Sequence, residues 1–402
     1  MPYFMATRAV WNYNLNLQVP ESVLANEATK LASAKTGPMG NAFISHYFPM
    51  TGGRAEIGPL PRWTALYLVT QDARARASML ANAEAAASIP MHYRDSVSDQ
   101  PLDLDRHPGV AVRLGQSTAA DALPPVSNGL TPWTVDMSHQ GSFAFVPYLI
   151  TGDSFYLDEI MFWASWNMAA NNPSYRGFGL GLVHPEQVRG QAWGLRSIGE
   201  ATHALPDNHA MKGYFQIRLN NNLAYYVNKF PRNTTAGAVS PMGSIEKPDE
   251  YGKTGPWQND FMGLVVGQLA ENGEPLAQEL LAWLSKFNVG RFQNEANGYC
   301  LAKAPAYYIN IRDTSGVFIN NWSQLFQRNW PGVTCADSLA IDPASYPNSA
   351  IGYAAYARAM LASAHNAQIS GAKDAYSAWV AKTPAIDVAL TQDPTWAIVP
   401  RP

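Results

Sequence analysis

Arg189 and Trp193 stand at i and i+4 in the stretch Arg189-Gly190-Gln191-Ala192-Trp193-Gly194-Leu195, a spacing that puts both on one face of a helix. A guanidinium offers a planar fork of donors that fits a carboxylate. An indole one turn away can stack on a pyranose ring, so the pair suits an acidic sugar. The plainer reading is a helix start that buries its Trp and pairs its Arg. Two further groups carry chemistry: His139-Gln140, a titratable ring beside an amide, and the adjacent phenols Tyr307 and Tyr308.

Helices must position these groups. Apolar periodicity predicts a series of helical hairpins. Arg62-Trp63 opens the first, with a partner over 72–88. Ser138-His139-Gln140 opens the second, running to Leu149 and followed by 155–170. Arg189 opens the third, followed by 209–229. Trp257-Gln258-Asn259-Asp260 opens the fourth through Leu269, then 275–287. A last helix is predicted from Pro347 through Ala364. Long loops, 91–135, 231–256 and 291–345, separate the hairpins, and loops of that length usually build functional surfaces. The run Tyr307-Tyr308-Ile309-Asn310-Ile311 predicts a small β-hairpin within 294–345. The expected fold is all-α: one domain over 1–402, an (α/α) barrel, or toroid, of hairpins whose helix starts gather at one mouth. A solenoid needs a fixed repeat period, and none is present.

Composition narrows the function. Of 402 residues, 47% are hydrophobic and 15% charged, which supports a large core and argues against long disordered stretches. A net charge of −3 with no basic stripe excludes a nucleic-acid partner from the reading. No apolar run approaches the ~20 residues of a membrane span, so no membrane partner is expected. The 12 Trp, 19 Tyr and 15 Phe suit a carbohydrate cleft as well as a core. Met1-Pro2-Tyr3-Phe4 lacks a basic start and an apolar stretch, so no signal peptide is read. Cys300 and Cys335 are either one disulfide or two thiols. No Cys/His spacing suits zinc, no cofactor is implied, and the pattern requires no metal. Nucleophile-elbow, Walker and dinucleotide motifs are missing, which discounts esterase, kinase and dehydrogenase readings.

The stretch 189–195 resembles the motif on an inner helix of the unsaturated glucuronyl hydrolases, which are (α/α)-barrel enzymes. That resemblance implies substrate-binding roles for Arg189 and Trp193. Where that family carries a catalytic Asp, this chain reads Ser138-His139-Gln140-Gly141-Ser142, with Asp136 displaced. In architecture and residue types the chain is also similar to the helical-toroid uronate lyases, such as alginate lyases, which use His, Tyr, Arg and Asn or Gln. This similarity implies a lyase acting on an acidic polysaccharide, placed outside the cell or in the periplasm.

β-Elimination from a uronate removes the C5 proton, which the neighbouring carboxylate makes weakly acidic until that carboxylate is neutralised. A base takes this proton and an acid protonates the leaving O4. The expected catalytic groups are His139, Arg189, Tyr307 and Tyr308, with Gln140 holding the carboxylate. Gln191, Trp193, Arg62, Trp63, Tyr251, Trp257, Gln258 and Asp260 complete the expected substrate contacts. His46-Tyr47 and His92-Tyr93-Arg94 are lesser candidates for the mouth. Two alternatives stand beside elimination. A hydrolase would use Asp260 with Asp136 or Glu186, two carboxyls flanking the bond across an open cleft. A module that binds glycans without turnover would use the aromatic rings alone.

Overall fold

Proline and short acceptor side chains set where the helices begin. In the computed structural model, which describes residues 1–50, 53–112, 117–123, 131–336, 340–341 and 345–402, the first helices are α1 (Pro2–Ala6), α2 (Glu21–Ser33), α3 (Arg62–Thr70), α4 (Ala73–Ala86) and α5 (Phe145–Thr151). There follow α6 (Ser154–Ala169), α7 (Val188–Ala204), α8 (Lys212–Lys229), α9 (Pro256–Glu271) and α10 (Pro275–Asn288). The last are α11 (Trp322–Asn329), α12 (Tyr353–Asn366), α13 (Ala372–Lys382) and α14 (Pro384–Gln392). Two strands, β1 (Lys253–Thr254) and β2 (Ile309–Asn310), form the one sheet among the described residues. Asp72 caps α4 and Asp153 caps α6, each accepting a backbone N–H of its own first turn. Pro256, Pro275 and Pro384 occupy the first positions of α9, α10 and α14, where a missing N–H costs nothing. The described residues are therefore mostly helical, as expected. Parts of the expected long loops, 113–116, 124–130, 337–339 and 342–344, lie outside the described residues.

Two expected helix starts are corrected. The helix expected from Ser138 begins at Phe145 instead. Residues 138–144 are held out of helix by one local and one tertiary side-chain bond: Asp136 accepts from the Ser138 N–H, and Arg196 donates to the Gln140 carbonyl. Gly141 also lies against the Glu56 carbonyl, leaving no room for a Cβ. The helix expected from Pro347 begins at Tyr353, because 346–352 form two successive turns closed by Ser349 and Gly352 N–H groups. The small hairpin expected within 294–345 is present, with Arg312 pairing antiparallel with Phe318 and the Ile319 N–H donating to the Ile311 carbonyl, and its first residues also pair antiparallel with β1, Thr254 opposite Ile309.

The chain divides into two compact units. One comprises Glu21–Pro185 and Gly190–Tyr225. Within it α2 and α3 both pack on α4, and α5 packs on α6, whose residues from Ile160 to Ala169 are all buried.

The other unit comprises Met1–Pro20, Glu186–Arg189 and Tyr226–Pro402. Its centre is α9, every residue of which except Ala270 is buried, packed between α10 and α12. Close approach needs its two inner glycines: a Cβ on Gly263 would meet the Asn288 amide, and one on Gly267 the Ser363 hydroxyl. Residues 1–20 are stitched to the far end of the sequence. Tyr13 pairs with Ile398, Asn12 donates to the Val399 carbonyl, and Arg401 reaches the Met5 carbonyl and Glu271.

Cys300 and Cys335, left open by the sequence, form a disulfide within this unit. Closing a loop over a sequence separation of 35 residues stabilises by about 4 kcal/mol on chain-entropy grounds. The Cys300→Ser, Cys335→Ser variant is expected to lose about that much in denaturant unfolding. A loss under about 1 kcal/mol would show that the bond constrains nothing.

Candidate functional site

The two-stranded ladder brings distant segments to the start of α9. β1 runs directly into Gly255 and the first turn of α9, while Tyr307 and Tyr308 immediately precede β2. Tyr308 packs on the Gly255 backbone so closely that a Cβ there would lie 2.9 Å from its ring. Buried Asn259 locks the arrangement: its Oδ1 accepts from the Ile245 N–H at 2.8 Å and its Nδ2 donates to the Thr254 hydroxyl at 2.8 Å. Glu246 and Arg312 pair side-on at 2.8 and 2.9 Å, and Glu246 also accepts from the Gly252 N–H. These bonds fix the loop that carries Lys247.

Arg189, in the first turn of α7, joins the same group within this unit. Its backbone N–H donates to Gln258 Oε1 at 3.2 Å, and its guanidinium lies 5.3 Å from the centre of the Trp257 ring. One guanidinium nitrogen donates to Gln187 at 2.9 Å. At its other end Gln258 donates from Nε2 to the Tyr308 hydroxyl at 3.2 Å. The Lys247 ammonium sits over the Tyr308 ring, 4.4 Å from its centre. Burial works against that charge, but Glu250, Tyr308 and Asp249 outweigh it and hold the Lys247 pKa above its ordinary value.

A wall of rings stands beside these cations. Trp257, Tyr307 and Tyr353 lie within 15° of parallel, with centres 5.4 to 6.2 Å apart, and Tyr346 meets Tyr353 edge-on. Tyr307 is 44% exposed and Tyr346 55%, so both present ring surface to solvent. Burial and the neighbouring Tyr308 raise the Tyr307 pKa, and burial raises that of Tyr353, so both phenols keep their protons. Arg189, 7% exposed, Lys247, ion-paired to Glu250 at 2.8 Å, and Tyr308 thus lie beside a semi-exposed aromatic surface.

The structure brings together Arg189, Trp257, Gln258, Tyr307 and Tyr308 from the expected set. Tyr251 is exposed in the same unit, with its ring under Arg312 and its hydroxyl donating to the Gly316 carbonyl. Two of the five change role. Gln258 is buried with both ends of its amide engaged, so it organises neighbours rather than touching substrate. Trp257 is buried among Arg189, Tyr307 and Tyr353, and it supports the wall from behind.

Several expectations are overturned by burial. Trp193 has no exposed surface and carries the Arg196 guanidinium over its ring, so no face remains for a sugar. Gln191 is buried and donates to the Pro185 carbonyl. Gln140 is buried and trades amide bonds with Asn167 in the interior of its unit. Trp63 is buried against Phe43 and Phe143, and Arg62 is committed to Glu27 at 2.6 Å. His139 is buried beside Asp136, to which its Nδ1 is bonded. Asp260 has no exposed surface and is ion-paired to the equally buried Arg291. A carboxylate held inside the protein by an arginine cannot flank a glycosidic bond, and the hydrolase expectation falls with it. Of its other proposed carboxyls, Glu186 is exposed and Asp136 is taken by His139. His92 bonds Glu159 at 2.9 Å, and His46 packs edge-on to Trp133 at 4.5 Å.

Lys247, Tyr346, Tyr353 and Asn259 were missed. Lys247 lies in a loop flagged only for its length, and Tyr353 inside a segment expected to be ordinary helix. A signal for Asn259 was present, since a polar residue between Gln258 and Asp260 at a helix start invites a capping or clamping role. Among the described residues, no group of three or more His, Cys, Asp and Glu is placed to hold a metal, and no helix is long and apolar enough to cross a membrane. No known protein family, curated protein or solved structure matches this chain.

Proposed function

We propose that this protein is a polysaccharide lyase that cleaves a uronate-containing polymer by β-elimination at the Arg189–Lys247–Tyr308 cluster. The observation that carries the reading is the convergence of two cations and a phenol beside the exposed rings of Tyr307 and Tyr346. Arg189, joined by Lys247 once it exchanges its ion pair with Glu250 for the substrate, neutralises the substrate carboxylate and so stabilises charge that develops on loss of the C5 proton. Tyr308 Oη, having given its own hydroxyl proton to solvent as substrate binds, takes the C5 proton. Tyr307, whose raised pKa keeps it protonated, gives its proton to the leaving O4. The C5–H and C4–O4 bonds break, a C4–C5 double bond forms, and proton exchange between the two phenols resets the site. His139 takes no step in this mechanism.

With this function goes the (α/α)-barrel reading of the fold, supported by the pairwise packing of consecutive helices, α3 with α4, α5 with α6, α9 with α10 and α12 with α13. The Cys300–Cys335 bond supports an extracellular or periplasmic location.

Incubation with alginate, glucuronan, pectate and hyaluronan tests the proposal, following ultraviolet absorbance of the unsaturated product. Growth of absorbance with one polymer is the expected result. New reducing ends without absorbance would overturn elimination, and binding without turnover would leave a glycan-binding module built on the same aromatic wall.

A further inference from the structure

Gln258 joins two groups whose hydrogen-bonding capacities differ in kind. On one side is the Arg189 backbone N–H in the first turn of α7, one of the donors that a helix leaves unsatisfied at its start. A backbone N–H only donates, so the Gln258 carbonyl oxygen must face it and the amide cannot be turned over. The NH₂ group then necessarily faces Tyr308, 3.2 Å from its hydroxyl oxygen, and Tyr308 must accept. A phenol hydroxyl hydrogen prefers the ring plane, where it has two positions. The amide N–H occupies the side of one of them.

From this we infer that Gln258 is a positioning residue: it turns the Tyr308 hydroxyl hydrogen away from the protein interior and keeps a donor on the oxygen when the proton leaves. Gln258 has 2% of its surface exposed and is enclosed by Arg189 and Tyr308, so it acts through Tyr308 and not on a ligand. The catalytic consequence rests on the elimination reading; the direction of the hydrogen bond does not.

Gln258→Glu separates this role from a structural one. A carboxylate still accepts from the Arg189 N–H, and a negative charge near the start of a helix offsets part of the cost of burying it, so the fold is expected to hold with a modestly lower thermal stability than the parent. The same carboxylate accepts from Tyr308 and reverses that bond. The readout is the tyrosine Fermi doublet near 850 and 830 cm⁻¹ in ultraviolet resonance Raman spectra (wavenumbers approximate, set by the phenol ring and its hydrogen bonding). Subtracting the Tyr308→Phe spectrum isolates Tyr308. The 850/830 intensity ratio is expected to fall in Gln258→Glu, reporting a change from acceptor to donor, while Gln258→Met shows neither bond. On the polymer that is turned over, kcat is expected to fall about 10²-fold or more with KM little changed, the loss typical of misdirecting one acid–base group.

An unchanged doublet in Gln258→Glu overturns the inference, and so does a reversed doublet with undiminished kcat. A reversed doublet in a protein that turns over none of the polymers upholds the bond direction and overturns the lyase reading alone.

Discussion

Replacing Tyr308 by Phe is expected to reduce kcat on the preferred uronate polymer by about 10²–10⁴-fold, the range of a positioned acid or base. The ring remains packed on Gly255 and under Lys247, so affinity and fold should change little. Tyr307→Phe leaves the exposed ring surface in place and removes the proton donor to the leaving oxygen. Its effect should be smaller with substrates whose leaving group needs less help. If Tyr308→Phe turns over polymer within threefold of the parent, the chemistry lies elsewhere, and the cluster is a binding surface.

Arg291→Met should cause the largest loss of stability, about 3–5 kcal/mol at pH 8, because it strands the fully buried Asp260 carboxylate. The cost carries a pH signature. Burial raises the Asp260 pKa from its ordinary 3.8 to about 6, against the pull of Arg291. A carboxyl whose native pKa is raised binds its proton more tightly when folded. Its contribution to stability is therefore complete below about pH 4 and is lost as pH rises through about 6. Without Arg291 the native pKa climbs further, so the loss in Arg291→Met should shrink at pH 5 and grow toward pH 8. Asp260→Asn should remove the slope between pH 4 and 6, and combined with Arg291→Met it should restore much of the stability. Urea unfolding at pH 5, 6.5 and 8 measures all of this. A deficit in Arg291→Met independent of pH would mean that Asp260 is not the group responsible.

How much of this was legible in the sequence depended on whether the signal was local. The helix starts expected at 72, 155, 257 and 275 fall within one residue of those found, because capping and a first-turn proline act over one turn. Arg189, Trp257, Gln258 and the tyrosine pair could be proposed as one group because each sits at or beside an element start. Lys247 and Tyr353 could not, since a two-residue ladder between segments far apart in sequence places the first and a turn at 346–352 the second. The Arg189–Leu195 stretch shows the limit of reading residue types. Gly190 faces the Ser138 hydroxyl and Pro185, Gly194 faces Val183, and Trp193 is wholly buried. Most of that stretch is a packing surface, as its plainer reading had it, and Arg189 is the member that reaches the candidate site.

The stitching of residues 1–20 to residues 395–401 constrains how the polypeptide is made. The unit containing Glu21–Pro185 and Gly190–Tyr225 has all of its own segments once residue 225 has left the ribosome. By contrast, Met5, Asn12 and Tyr13 must wait for partners at 395–401, synthesised 382 to 396 residues later. Since domains generally fold as units during synthesis, the unit complete at residue 225 can fold first, while the other waits for residues 395–401. For an interval the buried faces of Val10, Trp11 and Tyr13 are uncovered, and chaperone demand on the nascent chain should concentrate there.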